Sequence, residues 1–95
     1  MRESTVQSQV CNYASTKRCL VYPFKSPANN AVPDRLIVPP KGECFFIEFK
    51  QFGKKPTAAQ VREHNRMRKN GVDVFVVDSI RHGVSVIDKM LLGVG

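Results

Sequence analysis

The chain has 95 residues, a formal net charge of +7 and a pI near 9.7. That charge points to a polyanionic partner, nucleic acid first and an anionic membrane surface second. No apolar run approaches ~18 residues, so a transmembrane helix is excluded and no membrane partner is expected.

Residues 1–95 suffice for one domain with a modest core that needs neither disulfide nor metal. The opening residues Met1-Arg2-Glu3-Ser4-Thr5 are polar and carry no apolar h-region. No signal peptide is therefore expected, and a cytoplasmic location follows. Cys11, Cys19 and Cys44 are odd in number and far apart, and neither His64 nor His82 completes a zinc spacing. All three read as reduced, mostly packed thiols.

The first element is a helix from residue 3 to about 15. Val6, Val10 and Tyr13 recur at helical spacing, joined by Cys11 and Ala14. Glu3 sits in its first turn, where the helix dipole favours an acid, and Lys17 and Arg18 follow its far end. A strand reads over residues 18–24, with Pro23 ending it or placing it at an edge. Residues 25–32 form a polar loop in which Asn29-Asn30 suit left-handed conformations. This loop leads into Pro33-Asp34 and is expected to rim any site there.

The centre of the chain is a hairpin. Pro33–Val38 and Glu43–Lys50 are β-type runs around a Pro39-Pro40-Lys41-Gly42 turn. Phe45, Phe46, Ile47 and Phe49 make the second strand apolar on both faces, so it should lie inside a sheet. Glu48 and Lys50, two apart, share one face. Acids and lysines are rarely buried unless paired, and carboxylates at the rim of a buried sheet suit a hard cation such as Mg²⁺. The plain alternative is a surface ion pair at strand ends, Glu48 with Lys50 or Asp34 with Arg35. Register separates the two readings. A two-residue turn sets Asp34 opposite Ile47, on the face away from Glu48. A three-residue turn or a bulge sets Asp34 opposite Glu48, on one face with Lys50.

A basic loop, Gln51–Pro56, leads to Thr57-Ala58-Ala59-Gln60, which opens a helix with a capping-box pattern. The helix runs to about Asn70 and Gly71 ends it. Its apolar stripe is narrow: Ala58, Val61, Asn65 and Met67–Arg68. Gln60 is either the partner of Thr57 or a polar hand toward the site, and His64, one turn on, reads as a surface histidine. Between Lys50 and Lys69 stand seven cations (Lys50, Lys54, Lys55, Arg62, Arg66, Arg68, Lys69) against one acid, Glu63. One sign dominating a helix and its preceding loop favours a nucleic-acid backbone contact over a solvated face. Residues 72–78 read as a buried strand, Ser79 caps a last helix over roughly 80–91, and Gly93-Val94-Gly95 reads as a short loose tail. The last strand can run parallel to its neighbour through a helical crossover.

Taken in order, Val32-Pro33-Asp34-Arg35-Leu36, Phe45-Phe46-Ile47-Glu48-Phe49-Lys50, Gln60, Arg66–Gly71 and Val74–Ser79 resemble the P-D…(D/E)-x-K nuclease superfamily. More narrowly they resemble the stand-alone virus-type replication-repair nuclease (VRR-NUC) domain. With Glu3 the likeness spans nearly the whole chain, and it departs at Ala31-Val32, where many relatives carry a glycine. It implies an α/β, restriction-endonuclease-like αβββαβ(α) core with a mixed four-stranded sheet flanked by helices. It implies a Mg²⁺- or Mn²⁺-dependent endonuclease in a bacterial or phage-infected cell. Asp34 and Glu48 would be metal ligands with the Phe49 carbonyl, and Glu3 would join through water. Lys50 would act at the attacking water, and Gln60 would support the site. Small stand-alone members resemble Holliday-junction resolvases acting as homodimers on branched DNA. Lys25, Lys54, Lys55, Arg62 and Arg66 are the expected DNA contacts. Two other classes remain open: a metal-free nucleic-acid-binding module, and a structural or anti-host interaction protein on the same fold. The retained acid–acid–lysine set argues against both.

Overall fold

The structure, a computed structural model, describes residues 2–92. The Gly93–Gly95 tail lies outside the described residues. The order is α1 (Glu3–Thr16), β1 (Leu20–Pro23), β2 (Arg35–Val38), β3 (Phe45–Phe49), α2 (Ala58–Lys69), β4 (Val74–Val77) and α3 (Ile80–Leu92). The architecture is α/β, a mixed four-stranded sheet flanked by three helices, as the sequence implies.

The sheet order is β1-β2-β3-β4, with β1–β2 and β2–β3 antiparallel and β3–β4 parallel. β1 is an edge strand and Pro23, its last residue, lacks the N–H a continued ladder would need. β3 is central, which its two-faced apolar pattern requires. Phe45, Ile47 and Phe49 on one face meet Val6, Val10 and Ala14 of α1 and Val86 and Ile87 of α3. The opposite face carries Phe46 and Glu48 and receives α2.

Local chemistry sets the joints. Thr57 and Gln60 close a full capping box at the start of α2. Ser79 Oγ accepts the His82 N–H at 3.1 Å at the start of α3. Gly71, at φ +89°, ends α2 in the left-handed region that glycine tolerates. α1 and α3 pack closely because Gly83 has no side chain: a Cβ there would lie 2.3 Å from Val10 Cγ2.

Two expectations are corrected. The buried face of α2 is not Ala58, Val61 and Asn65, which are exposed, but Gln60, Glu63, His64 and Met67. His64 is not a surface residue: only 1% of it is exposed. The thiols are free, with Cys19 buried, Cys11 half-buried and Cys44 exposed.

Candidate active site

The hairpin adopts the odd register. Arg35 pairs with Ile47, Leu36 with Phe46 and Ile37 with Phe45, and one further step brings Asp34 opposite Glu48. Gly42, at φ +96°, helps the chain close this turn. Asp34 is anchored on both sides. Its carbonyl accepts the Phe24 N–H at 2.7 Å, and its carboxylate Oδ2 accepts the Phe49 N–H at 2.8 Å. The Lys50 N–H in turn donates to the Val77 carbonyl at 2.9 Å, holding the end of β3 against β4.

Glu48 is 3% exposed. Its Oε2 accepts from Gln60 Nε2 at 3.1 Å and lies 3.5 Å from Lys50 Nζ. Its Oε1 is buried with no hydrogen-bond partner. Burial, and next the charge of Asp34, push the carboxyl up to about 7, while Lys50 opposes the shift. A carboxylate with a bare buried oxygen beside a second carboxylate is unstable unless a proton or a cation joins it. The donors are all hard oxygens, so the set fits Mg²⁺ or Mn²⁺ rather than a soft metal.

Asp34, Glu48, Lys50 and Gln60 are thus brought together. Glu3 is exposed at the start of α1, near enough for its charge to raise Glu48 further. Among the described residues no three of His, Cys, Asp and Glu gather into a metal-holding cluster. Glu3 therefore does not form a three-residue cluster with Asp34 and Glu48. Gln60 fills both readings at once: its Oε1 accepts the Thr57 N–H at 2.9 Å while its Nε2 serves Glu48.

The sequence places His64 one turn beyond Gln60, but at the surface. It is instead buried on α2, with Nε2 unpartnered. Burial lowers its pKa, and the nearby Arg68 and Lys50 charges add to that, favouring the neutral ring.

Lys25, Lys54, Lys55, Arg62 and Arg66 are all exposed. Lys54 and Lys55 follow the end of β3, on a turn that Asp78 Oδ2 fastens through the Gly53 N–H at 3.1 Å. Arg62 and Arg66 flank a shallow cavity with Asn29, and Arg66 Nε lies 3.6 Å from Glu63. Among the described residues no helix is long and apolar enough to cross a membrane.

No family model matches the sequence. A curated protein, "Putative nuclease p44" of Acyrthosiphon pisum secondary endosymbiont phage 1, is 38% identical over 79 residues, covering 83% of this chain and 85% of that protein. A solved structure titled "VRR_NUC domain" superposes with a TM-score of 0.83 at 33% identity, covering 90% of this chain and 94% of that one. A second, "VRR_NUC domain protein", superposes with a TM-score of 0.78 over 100% of this chain and 91% of the other, and at 22% identity speaks for the fold alone.

Proposed function

Because this chain belongs to the VRR-NUC family, we propose that it is a divalent-metal-dependent endonuclease that hydrolyses phosphodiester bonds in branched DNA. The observation that carries the reading is Asp34 standing across from Glu48, with Glu48 Oε1 buried and bare. Asp34 and Glu48 would hold Mg²⁺ or Mn²⁺ with the Phe49 carbonyl, and Glu3 would contribute through water. A divalent cation held there would supply Lewis-acid polarisation of the phosphoryl group and a water of lowered pKa.

The chain's own residues do the rest. Asp34 grips the Phe49 amide, which fixes the end of β3 and the direction in which Lys50 leaves it. The Lys50 ammonium, 17% exposed and 3.5 Å from Glu48 Oε2, would orient the attacking water and offset charge growing on the phosphate. Gln60 holds Glu48 in one rotamer and leaves Oε1 free. The basic loop and α2 supply phosphate contacts away from the reacting atoms. A homodimer suits the Holliday-junction reading, since a two-fold axis would present two such sites to two strands of a near-symmetric junction.

The test uses purified protein with labelled four-way junction, flap and plain duplex in Mg²⁺, Mn²⁺ or EDTA. We expect cutting of the branched forms with either metal and none in EDTA. Asp34→Ala and Glu48→Gln should abolish cutting and keep DNA binding. A folded Asp34→Ala or Glu48→Gln protein that still cuts near-normally would overturn the site. DNA bound but uncut under every metal would favour a non-catalytic binding module.

A further inference from the structure

A cavity of about 290 Å³ opens beside Asp34, lined by Phe24, Lys25, Ser26, Asn30, Val32, Arg35 and Asp34 itself. We propose that it is a nucleobase subsite that takes one unpaired base next to the scissile phosphate. The inference rests on the phosphodiesterase reading of Asp34 and names the part of the substrate that reading leaves open.

The cavity is preformed. The Phe24 N–H donates to the Asp34 carbonyl at 2.7 Å and closes the neck of the loop joining β1 to β2. Within the loop, the Asn29 N–H donates to the Ser26 carbonyl at 3.2 Å and the Ala31 N–H to Asn29 Oδ1 at 2.9 Å. From outside, Asn29 Nδ2 donates to Glu63 Oε1 on α2 at 2.9 Å. The loop is therefore tied to itself, to β2 and to α2. A wall held this way binds without first having to be ordered.

Its chemistry is that of a base pocket. Phe24 and Val32 give an apolar surface, and Phe24 is fixed by an edge-to-face contact with Phe46, centroids 5.0 Å apart at 67°. Ser26 and Asn30 bring a hydroxyl and an amide that can match either donors or acceptors on a base edge. Lys25 adds a cation for the neighbouring phosphate. Aromatic surface, edge partners and a cation together are what recognition of unpaired bases uses. The volume lies at the small end for ligand pockets, which suits one base rather than a stretch of strand. A base inside a duplex must be unstacked and unpaired to enter, at a cost of roughly a few kcal/mol, whereas a base on the single strand beside a fork or flap is already free. A preference for forked or flapped DNA over plain duplex follows from that difference.

The test scans 2-aminopurine one position at a time through a forked DNA, with Ca²⁺ in place of Mg²⁺ so that the strand stays intact. On binding wild-type protein, one position beside the branch should change fluorescence at least twofold. Val32→Phe fills the cavity, and Asn30→Ala, at an exposed residue, removes an edge partner with little risk to folding. Both should abolish the response at that position while DNA still binds. In Mg²⁺ both should lower the fork-to-duplex cleavage ratio at least tenfold. No responsive position, or a response and a ratio unchanged in Asn30→Ala, overturns the subsite. If no DNA is cut under any metal, the nuclease reading fails, while the base scan, which needs no cutting, still decides this proposal.

Discussion

Gln60 and Glu48 are joined by a 3.1 Å hydrogen bond whose donor amide also caps its own helix through its oxygen. One side chain thus couples the start of α2 to the carboxylate at the centre of the site. The two jobs can be separated by substitution. Glutamate also completes a capping box, so Gln60→Glu keeps the cap on α2. It sets a second carboxylate against Glu48, however, and should lower cleavage at neutral pH by about tenfold or more and move the rising limb of the pH profile upward. Gln60→Ala keeps the Thr57 cap and should instead cost about 1 kcal/mol of stability through the lost reciprocal bond to the Thr57 N–H. Melting curves and pH–rate profiles of the two variants check this, and an unshifted profile in Gln60→Glu would remove Gln60 from the site.

Glu48 gives a pH dependence of defined sign. Its folded pKa of about 7 stands above the ordinary value of 4.5, chiefly through burial. The native state therefore holds this proton longer than the unfolded chain. The contribution is fully present below about pH 4.5 and is lost as pH rises toward 7. The gap corresponds to on the order of 3 kcal/mol. In EDTA, wild type should lose stability relative to Glu48→Gln across that window. His64, shifted the opposite way, is common to both proteins and cancels in the difference. Adding Mg²⁺ or Mn²⁺ at pH 8 should restore wild type and leave Glu48→Gln unmoved. Urea unfolding at several pH values reads the effect, and a flat difference between the two proteins would contradict the burial argument.

Much of this architecture is legible in the sequence because the decisive patterns are local. The capping box at Thr57–Gln60, the glycine stop at Gly71 and the two-faced apolar run of β3 each fix one element. The odd register of the hairpin follows from asking how Asp34 and Glu48 could meet. What escaped was the face of α2. Its cations so outnumber its apolar residues that Val61 reads as its anchor, yet Val61 is 41% exposed and His64 is buried. A helix that packs polar side chains over a charged site has no apolar stripe to read. The cavity beside Asp34 was equally hidden. It depends on Asn29 reaching Glu63, 34 residues away, a contact no spacing rule encodes.

Gly83 tests the packing behind the site. A methyl group there would meet Val10 Cγ2 at 2.3 Å and Cγ1 at 2.9 Å, so α1 and α3 would have to part. Overpacking of this kind costs roughly 1–3 kcal/mol, more than the gain of up to about 1 kcal/mol from alanine over glycine in a helix. Gly83→Ala should therefore destabilise. In a Val10→Ala background, where the clashing methyls are gone, the same change should become neutral or stabilising. Thermal unfolding of the four proteins in this cycle gives the coupling. Equal effects of Gly83→Ala in both backgrounds would mean that Val10 is not what fills the space.

The basic surface separates steering from chemistry. Lys54, Lys55, Arg62 and Arg66 are exposed and outside the Asp34–Glu48–Lys50 group, so a phosphate they touch is held equally before and during reaction. Neutralising them singly should weaken DNA binding and leave single-turnover cutting at saturating DNA nearly unchanged. Each lost contact should flatten the log K against log[salt] slope by about 0.9 on duplex arms. Lys54 and Lys55 should matter most, being nearest in sequence to Lys50. Glu63 supplies the opposite control. It is the one acid of α2, and Gln in its place keeps an oxygen for the Asn29 amide at 2.9 Å while removing the negative charge. Glu63→Gln should therefore tighten binding without altering the cutting rate. Lys50→Ala should do the reverse, depressing turnover by ~10²-fold or more with little effect on affinity, because its ammonium acts on charge that appears only in the transition state. Salt titrations on a four-way junction in Ca²⁺, paired with single-turnover rates in Mg²⁺, separate the two groups. Unchanged slopes for all four cations would move the DNA path to Lys17, Arg18 and Lys25 and leave α2 as a solvated face.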